Sequence, residues 1–150
     1  MKLSTFDDAV QFAIKREEEA IQGYGRMIEV TETPGVQELL MDLQGEERNH
    51  KKMLQDLTEG RVESYEPAGV VDLKISDYLE EETLDVDMDF QTLLIFAAKK
   101  EQKAVELYSD LAQNAKNEEL RRLFEFLIEQ EKSHKLKLET EYEKHVMMED

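Results

Sequence analysis

The segment "EERNHKKML" (residues 46–54) returns 84 positions later as "QEKSHKLKL" (residues 130–138). Each copy contains a Glu-x-x-His motif, and the two pairs are Glu47 with His50 and Glu131 with His134. Residues three apart on a helix share one face, so each motif can present a carboxylate and an imidazole in the same direction. One such motif on an acid-rich helix is typical of a solvated surface, whereas two copies at one offset favour a common function.

The same offset also aligns the segments that precede the two motifs. Phe12, Glu17 and Tyr24 fall on Phe96, Glu101 and Tyr108 without a gap. Helical periodicity outweighs strand alternation along the chain, and turn residues separate the helical segments. The sequence therefore predicts an all-α fold, a four-helix bundle of two helix hairpins joined by a long crossover. The predicted helices cover about residues 5–31, 34–57, 88–115 and 118–145, with the crossover at 58–88.

Short polar residues are candidates for the helix ends. Ser4 or Thr5 can cap the first helix and Asp87 or Asp89 the third, because such side chains accept hydrogen bonds from the first turn. Residues 146–150 are expected to fray beyond the end of the fourth helix.

An apolar row runs along each predicted helix at the spacing of a left-handed bundle. A glutamate interrupts every row about halfway along, and the four are Glu17, Glu47, Glu101 and Glu131. Four carboxylates in one core would lose hydration and repel one another, and we expect no lysine or arginine on the rows to pair with them. Because His50 and His134 lie at the same level, the six side chains predict bound metal, and their donors suit two first-row divalent ions.

The remaining aromatic and histidine candidates leave alternatives open. Tyr24 and Tyr108 follow the single glutamates by seven residues, which places each pair on one helix face. They are either core aromatics or residues whose hydroxyls hydrogen-bond the ligand carboxylates. His145, near the predicted end of the last helix, has no partner in the repeat and is interpreted as a surface residue.

Composition narrows the class of protein. The 150 residues carry a net charge of −17 and contain no cysteine. The charge indicates either a well-solvated surface or a field that concentrates cations, and it disfavours nucleic acid and anionic membranes as partners. No apolar run is long enough for a membrane span, and no targeting peptide is recognisable at the start. We therefore expect one cytoplasmic domain covering residues 1–150.

With these motifs in place, the sequence resembles the ferritin-like di-iron carboxylate superfamily, and within it a stand-alone rubrerythrin-like domain. The resemblance covers about residues 5–145. It implies that Glu47 and Glu131 bridge two metals, that Glu17 and His50 complete the shell of one, and that Glu101 and His134 complete that of the other. In relatives an acid before the bridging glutamate often holds the opposite histidine. The resemblance gives this role to Glu46 and Gln130, with the amide as the weaker of the two.

The chain departs from the pattern of its relatives in three respects, and each changes what the resemblance implies. Rubrerythrins carry a rubredoxin domain with four cysteines, so here the electron donor is expected to be a separate molecule such as a rubredoxin. A further carboxylate usually follows the third-helix ligand by three residues, where this chain has Ala104. Arg48 stands where bacterioferritins have their haem-binding methionine, so no haem is expected.

The resemblance implies a di-iron oxidoreductase that reacts with H2O2 or O2, of the peroxidase or ferroxidase type. Iron storage in a shell of 12 or 24 subunits is one alternative. The other is a helical bundle without turnover that binds manganese or zinc, or no metal. A homodimer is expected, and the long crossover is compatible with exchange of helices between its subunits.

Overall fold

The structure is a computed structural model that describes residues 6–58 and 89–148, and these residues form four helices. Their bounds are Phe6–Val30 for α1, Pro34–Thr58 for α2, Phe90–Gln113 for α3 and Glu118–Met148 for α4. Helices α1 and α2 form one hairpin, and α3 and α4 form the other. Helix α1 packs against α3 across the bundle, and α2 faces α4. The predicted all-α bundle of two hairpins is confirmed, whereas the predicted crossover at 58–88 lies outside the described residues apart from Thr58.

Local signals explain where the helices begin and end. Pro34 opens α2, where its missing N–H is not needed. The predicted cap Asp89 accepts a hydrogen bond from the Thr92 backbone N–H at 2.8 Å. Asn117 caps α4 in the same way, accepting from Leu120 N–H at 2.8 Å. The other cap candidates, Ser4, Thr5 and Asp87, lie outside the described residues.

The end of α4 differs from the prediction. The helix continues through Met148, so residues 146–148 do not fray as expected. The sequence after the second motif contains neither proline nor glycine to stop a helix. His145 is half-buried, and its ring centroid lies 4.9 Å from that of Phe90, so this histidine packs against the start of α3.

The apolar rows pack into two core clusters, one on each side of a polar layer. Leu54, Tyr108 and Phe124 belong to the cluster at one end of the bundle. Leu40 and Leu94 belong to the cluster at the other end. The polar layer between them holds the four mid-helix glutamates and both motif histidines. Among the described helices, none combines the length and the apolar content that crossing a membrane requires.

Candidate metal centre

All six predicted ligands lie in this polar layer, each at most 3% exposed. Each helix contributes from its inward face: Glu17 from α1, Glu47 and His50 from α2, Glu101 from α3, and Glu131 and His134 from α4. Apolar residues one or two turns away on every helix cover the layer at both ends of the bundle. The two hairpins of one chain therefore supply a complete set of candidate ligands.

The six side chains form two overlapping groups that could each hold a metal ion. One group is Glu17, Glu47, His50 and Glu131, and the other is Glu47, Glu101, Glu131 and His134. Within each group the candidate ligand atoms all lie within 4.8 Å of one another. Glu47 and Glu131 belong to both groups, which is the arrangement that two bridging carboxylates would have.

Both imidazoles direct Nδ1 into the carboxylate layer. His134 Nδ1 lies 2.6 Å from a Glu47 oxygen and 3.6 Å from a Glu101 oxygen. His50 Nδ1 lies 2.9 Å from a Glu131 oxygen and 3.7 Å from a Glu17 oxygen. The two rings are nearly parallel, with centroids 5.7 Å apart. Nδ1 is therefore the nitrogen that each histidine offers for ligation.

The two tyrosines bond carboxylates across the bundle. Tyr24 of α1 donates to Glu101 of α3 at 2.7 Å, and Tyr108 of α3 donates to Glu17 of α1. The sequence left open whether the tyrosines are plain core aromatics or partners of carboxylates. The structure shows the second arrangement, although each tyrosine bonds the glutamate of the opposite helix rather than its own.

The two predicted histidine supports differ. Glu46 contacts Nε2 of His134, as expected for the residue before the first bridging glutamate. Gln130, its counterpart, makes no such bond, because His50 Nε2 is buried without any hydrogen-bond partner. The prediction for Gln130 is therefore wrong, and the His50 ring instead lies in a T-shaped arrangement with Phe126. A neutral amide gains less from an imidazole N–H than a carboxylate does.

Burial and mutual repulsion set the protonation of the layer. Burial raises the pKa of Glu47 well above its usual range, and the charges of Glu101 and Glu131 raise it further. Burial likewise raises the pKa of Glu131, followed by the charges of Glu101 and Glu17. Burial also opposes ionisation of Glu17, but its close contacts with the Glu47 carboxyl and the His50 imidazole outweigh burial and lower the pKa of Glu17. The shared pair is therefore the most costly to ionise without a cation.

Several buried polar atoms of the layer make no hydrogen bond, and this pattern fits bound metal. The buried atoms without a hydrogen-bond partner include both Glu47 oxygens, Glu17 Oε2, Glu101 Oε2, Glu131 Oε1 and Nδ1 of both histidines. Buried polar atoms normally have partners, and atoms left without them carry a desolvation penalty. These atoms belong to the two overlapping groups described above. Their carboxylate and imidazole donors fit a pair of divalent cations.

A crevice between α1 and α3 connects the layer with the surface. Its volume is about 290 Å³, and its walls include Gly23, Ala97 and Ala104. Glu17, Glu47, Glu101 and Glu131 line its inner end. The small side chains leave the space open, and Ala104 contributes because it stands where a carboxylate would fill it. The crevice offers small molecules a path to the candidate metal centre.

Sequence reasoning missed a repeated cation–aromatic pair beside this crevice. The Arg16 guanidinium lies 5.7 Å from the Phe12 ring centroid, and Lys100 Nζ lies 5.3 Å from that of Phe96. The offset of 84 relates the two pairs, and Arg16 and Lys100 lie inside the aligned segment, so comparing its basic positions would have found them. Arg16 lies beside Glu17 but off the apolar row, and it is buried and lines the crevice with Glu17.

Three solved structures resemble this chain over nearly its whole length. A hypothetical protein of Pyrococcus furiosus is 25% identical, covers 92% of this chain and 88% of its own, and has a TM-score of 0.72. A Thermotoga maritima protein described as a ferritin-like diiron-carboxylate protein is 20% identical, with coverages of 95% and 98% and a TM-score of 0.74. The dodecameric thioferritin of Bacteroides fragilis is 21% identical, with coverages of 95% and 86% and a TM-score of 0.71.

The last two likenesses establish a shared fold. No curated protein matches the chain. The sequence model of the rubrerythrin family matches residues 8–142, which include all six candidate ligands and both tyrosines. The chain therefore belongs to the rubrerythrin family.

Proposed function

We propose that this protein is a non-haem di-iron oxidoreductase that reacts with H2O2 or O2, of the peroxidase or ferroxidase type. One observation carries the proposal: buried carboxylate and imidazole atoms without hydrogen-bond partners converge as two overlapping groups. Membership of the rubrerythrin family supports it. So does the likeness to the Thermotoga protein described as a diiron-carboxylate protein.

Each candidate ligand has a role in this proposal. Glu47 and Glu131 would bridge the two irons, because they belong to both groups. Glu17 and His50 would complete one position, and Glu101 and His134 the other. Four carboxylates carry four negative charges, which two divalent cations neutralise. Manganese or zinc suits the same donors, and we propose no haem.

The surrounding residues would orient the ligands and admit the oxidant. A di-iron pair supplies two electrons when it passes from the diferrous to the diferric state. The Tyr24 and Tyr108 hydroxyls hold one oxygen each of Glu101 and Glu17, which directs the other oxygen of each carboxylate inward. A crevice of about 290 Å³ is ample for H2O2 or O2, since a water molecule occupies about 30 Å³ in the liquid.

Electrons for the return to the diferrous state would come from another molecule, and a rubredoxin is the donor class we propose. These 150 residues contain no cysteine and so hold no thiolate redox site of their own. We also propose a cytoplasmic homodimer, in which each site is built within one chain, as the six clustered side chains allow. Exchange of helices between subunits is the alternative.

Anaerobic Fe(II) loading followed by rapid mixing tests the redox function. We expect about two irons per chain and oxidation by H2O2 or O2 much faster than that of free Fe(II). Glu131→Gln should abolish this rate because it removes a bridging charge, whereas Glu38→Gln, an exposed position on α2, should not. Bound iron that reacts no faster than free iron with either oxidant would support a metal-binding bundle without turnover instead.

Iron storage is the second candidate, and one observation favours it. The similar thioferritin of Bacteroides fragilis is described as dodecameric, and a net charge of −17 would attract iron into a shell. Storage requires a hollow assembly that takes up far more iron than two ions per chain. Sedimentation of the iron-loaded protein distinguishes the candidates, because a dimer has no interior in which to store iron.

A further inference from the structure

The two histidines of the metal centre differ at the nitrogen that faces away from the carboxylates. Nε2 of His134 contacts the Glu46 carboxylate, while Nε2 of His50 is buried without a hydrogen-bond partner. The repeat makes Glu46 and Gln130 equivalent positions, so an acid in one half and an amide in the other accompany the asymmetry.

This difference bears directly on how each imidazole can bind a metal. A carboxylate can only accept a hydrogen bond, so Nε2 of His134 must donate to Glu46. That donation fixes the tautomer in which Nδ1 of His134 keeps its lone pair, and it makes Nδ1 a stronger donor. Nδ1 of His134 already faces Glu47, Glu101 and Glu131. No such hydrogen bond fixes the tautomer of His50, whose ring lies in a T-shaped arrangement with Phe126.

We infer that the two metal positions are inequivalent and that the position completed by Glu101 and His134 fills first. Glu46 is the positioning residue responsible, because it acts on the metal through His134 and is not itself a ligand. Outer partners of metal-bound histidines typically change metal affinity by about 10–100-fold. The position completed by Glu17 and His50 is therefore the weaker and more exchangeable one. This inference rests on the proposed metal centre.

Zinc titration of the metal-free protein tests the order of filling. Zn²⁺ is a useful probe because it takes nitrogen and oxygen ligands and has no redox chemistry. Calorimetry should resolve two binding steps that differ by roughly 10–100-fold in affinity. Imidazole ¹⁵N spectra at one equivalent of Zn²⁺ should show the ligation shift at Nδ1 of His134, and only the second equivalent should shift His50.

Three variants distinguish the effect of the Glu46–His134 contact from the effect of the net charge of the protein. Glu46→Gln should weaken the first step by about 10–100-fold and bring the two steps together. Gln130→Glu should strengthen the second step. The exchange variant Glu46→Gln/Gln130→Glu keeps the net charge of the protein and should reverse the order, so that His50 shifts first. Glu46 is 39% exposed at its side chain and Gln130 is half-buried, so these near-isosteric changes should leave the fold intact.

Several outcomes overturn the inference while the proposed function stands. They are a single step with equal affinities, His50 shifting first in the unchanged protein, an equal effect of Glu46→Gln on both steps, and an exchange variant that still fills at His134 first. If the unchanged protein binds no Zn²⁺ and no Fe(II), the proposed metal centre itself fails, and the inference falls with it.

Discussion

The side chain of Glu47 is a candidate metal ligand whose burial lowers the stability of the metal-free protein. Glu47 is fully buried, and neither carboxylate oxygen makes a hydrogen bond. Burial and then the charges of Glu101 and Glu131 raise its pKa, so the ionised form is unfavourable in the folded chain. A bound cation would remove this penalty. The metal-free protein should therefore be less stable than its apolar clusters alone would make it.

Replacing this carboxylate with its isosteric amide should separate binding from stability. We expect Glu47→Gln to raise the stability of the metal-free protein by roughly 1–3 kcal/mol at neutral pH, because the amide is neutral without the proton that the buried carboxyl must take up on folding. The same variant should lose tight binding of the metal pair. Urea unfolding with and without Fe(II) measures both effects, and Glu38→Gln on the exposed face of α2 is the control. Lower stability of metal-free Glu47→Gln would show that the carboxylate has a favourable partner in the folded chain.

The raised pKa values of Glu47 and Glu131 also predict a pH dependence for the metal-free protein. Above about pH 4.5, the ordinary value for a glutamate, the folded state holds protons on these groups that the unfolded state has released. Stability should therefore fall as the pH rises from about 4.5 through the raised pKa values of the folded state. The pKa of Glu17 is lowered, so ionised Glu17 stabilises the folded state. That stabilisation is lost only as the pH falls below the ordinary pKa of a glutamate.

Thermal unfolding of metal-free protein across this pH range checks the prediction. The variant Glu47→Gln/Glu131→Gln should show a clearly shallower decline, because both groups with raised pKa values are gone. An unchanged slope in the double variant would assign the decline to the general repulsion of a chain with net charge −17.

At the scale of the helix, α1 and α3 differ from α2 and α4 in what they present to the site. Helices α2 and α4 each supply a Glu-x-x-His motif, whereas α1 and α3 supply one glutamate and small residues nearby. Gly23, Ala97 and Ala104 belong to the crevice wall. The helix pair with fewer ligands therefore provides the access path, because small side chains leave room between the two backbones.

Filling this crevice should slow the access of the oxidant to the metal centre without disturbing the candidate ligands. A Cβ at Gly23 would meet no atom within 4 Å, so Gly23→Leu can extend into the crevice without a backbone clash. We expect oxidation by H2O2 to slow by about tenfold, equivalent to about 1.4 kcal/mol in the barrier. Stopped-flow mixing measures the rate, and iron affinity should be unchanged.

Gly45→Leu is the matched control for this experiment. Gly45 lies in the middle of α2, a Cβ there also meets no atom within 4 Å, and it is not part of the crevice wall. Both substitutions should favour the helix by roughly 0.5–1 kcal/mol, so an effect on helix stability would appear in both. Equal oxidation rates in the two variants would show that the oxidant enters by another route.

At the scale of the molecule, the two hairpins are joined across the polar layer by reciprocal hydrogen bonds. Tyr24 of the first hairpin donates to Glu101 of the second, and Tyr108 of the second donates to Glu17 of the first. All four side chains are buried. The bonds satisfy one oxygen on each carboxylate and fix the register of α1 against α3.

Removing the hydroxyl of either tyrosine should weaken the association of the two hairpins and so destabilise the folded protein. Tyr24→Phe leaves a buried Glu101 oxygen without its donor, and we expect a loss of about 1–3 kcal/mol in the free energy of unfolding. Tyr108→Phe should have a similar effect through Glu17, because the repeat makes the two sites equivalent. Tyr142→Phe, at a half-buried position that packs on the second core cluster, should change stability by no more than about 0.5 kcal/mol. Chemical unfolding of the three variants distinguishes them, and a loss for Tyr142→Phe as large as the others would assign the effect to packing.

Much of this molecule follows from its sequence. The apolar rows predict the four helices because a helix repeats its faces at a regular spacing, and a common offset is visible without coordinates. The glutamate on each row and the two histidines were placed correctly in one buried layer, since every row must face the same core. Their role as metal ligands stays a prediction.

Only the tertiary structure decided which groups meet across helices. The hydrogen bonds of Tyr24 and Tyr108, the burial of Arg16 and the crevice all depend on how far apart and at what register α1 and α3 pack. The same is true of Nε2 of His50, which lacks the partner that His134 finds in Glu46. Periodicity within a helix determines which side chains point inward. The distances between side chains of different helices are set by the packing of the whole bundle, and no spacing along the chain encodes them.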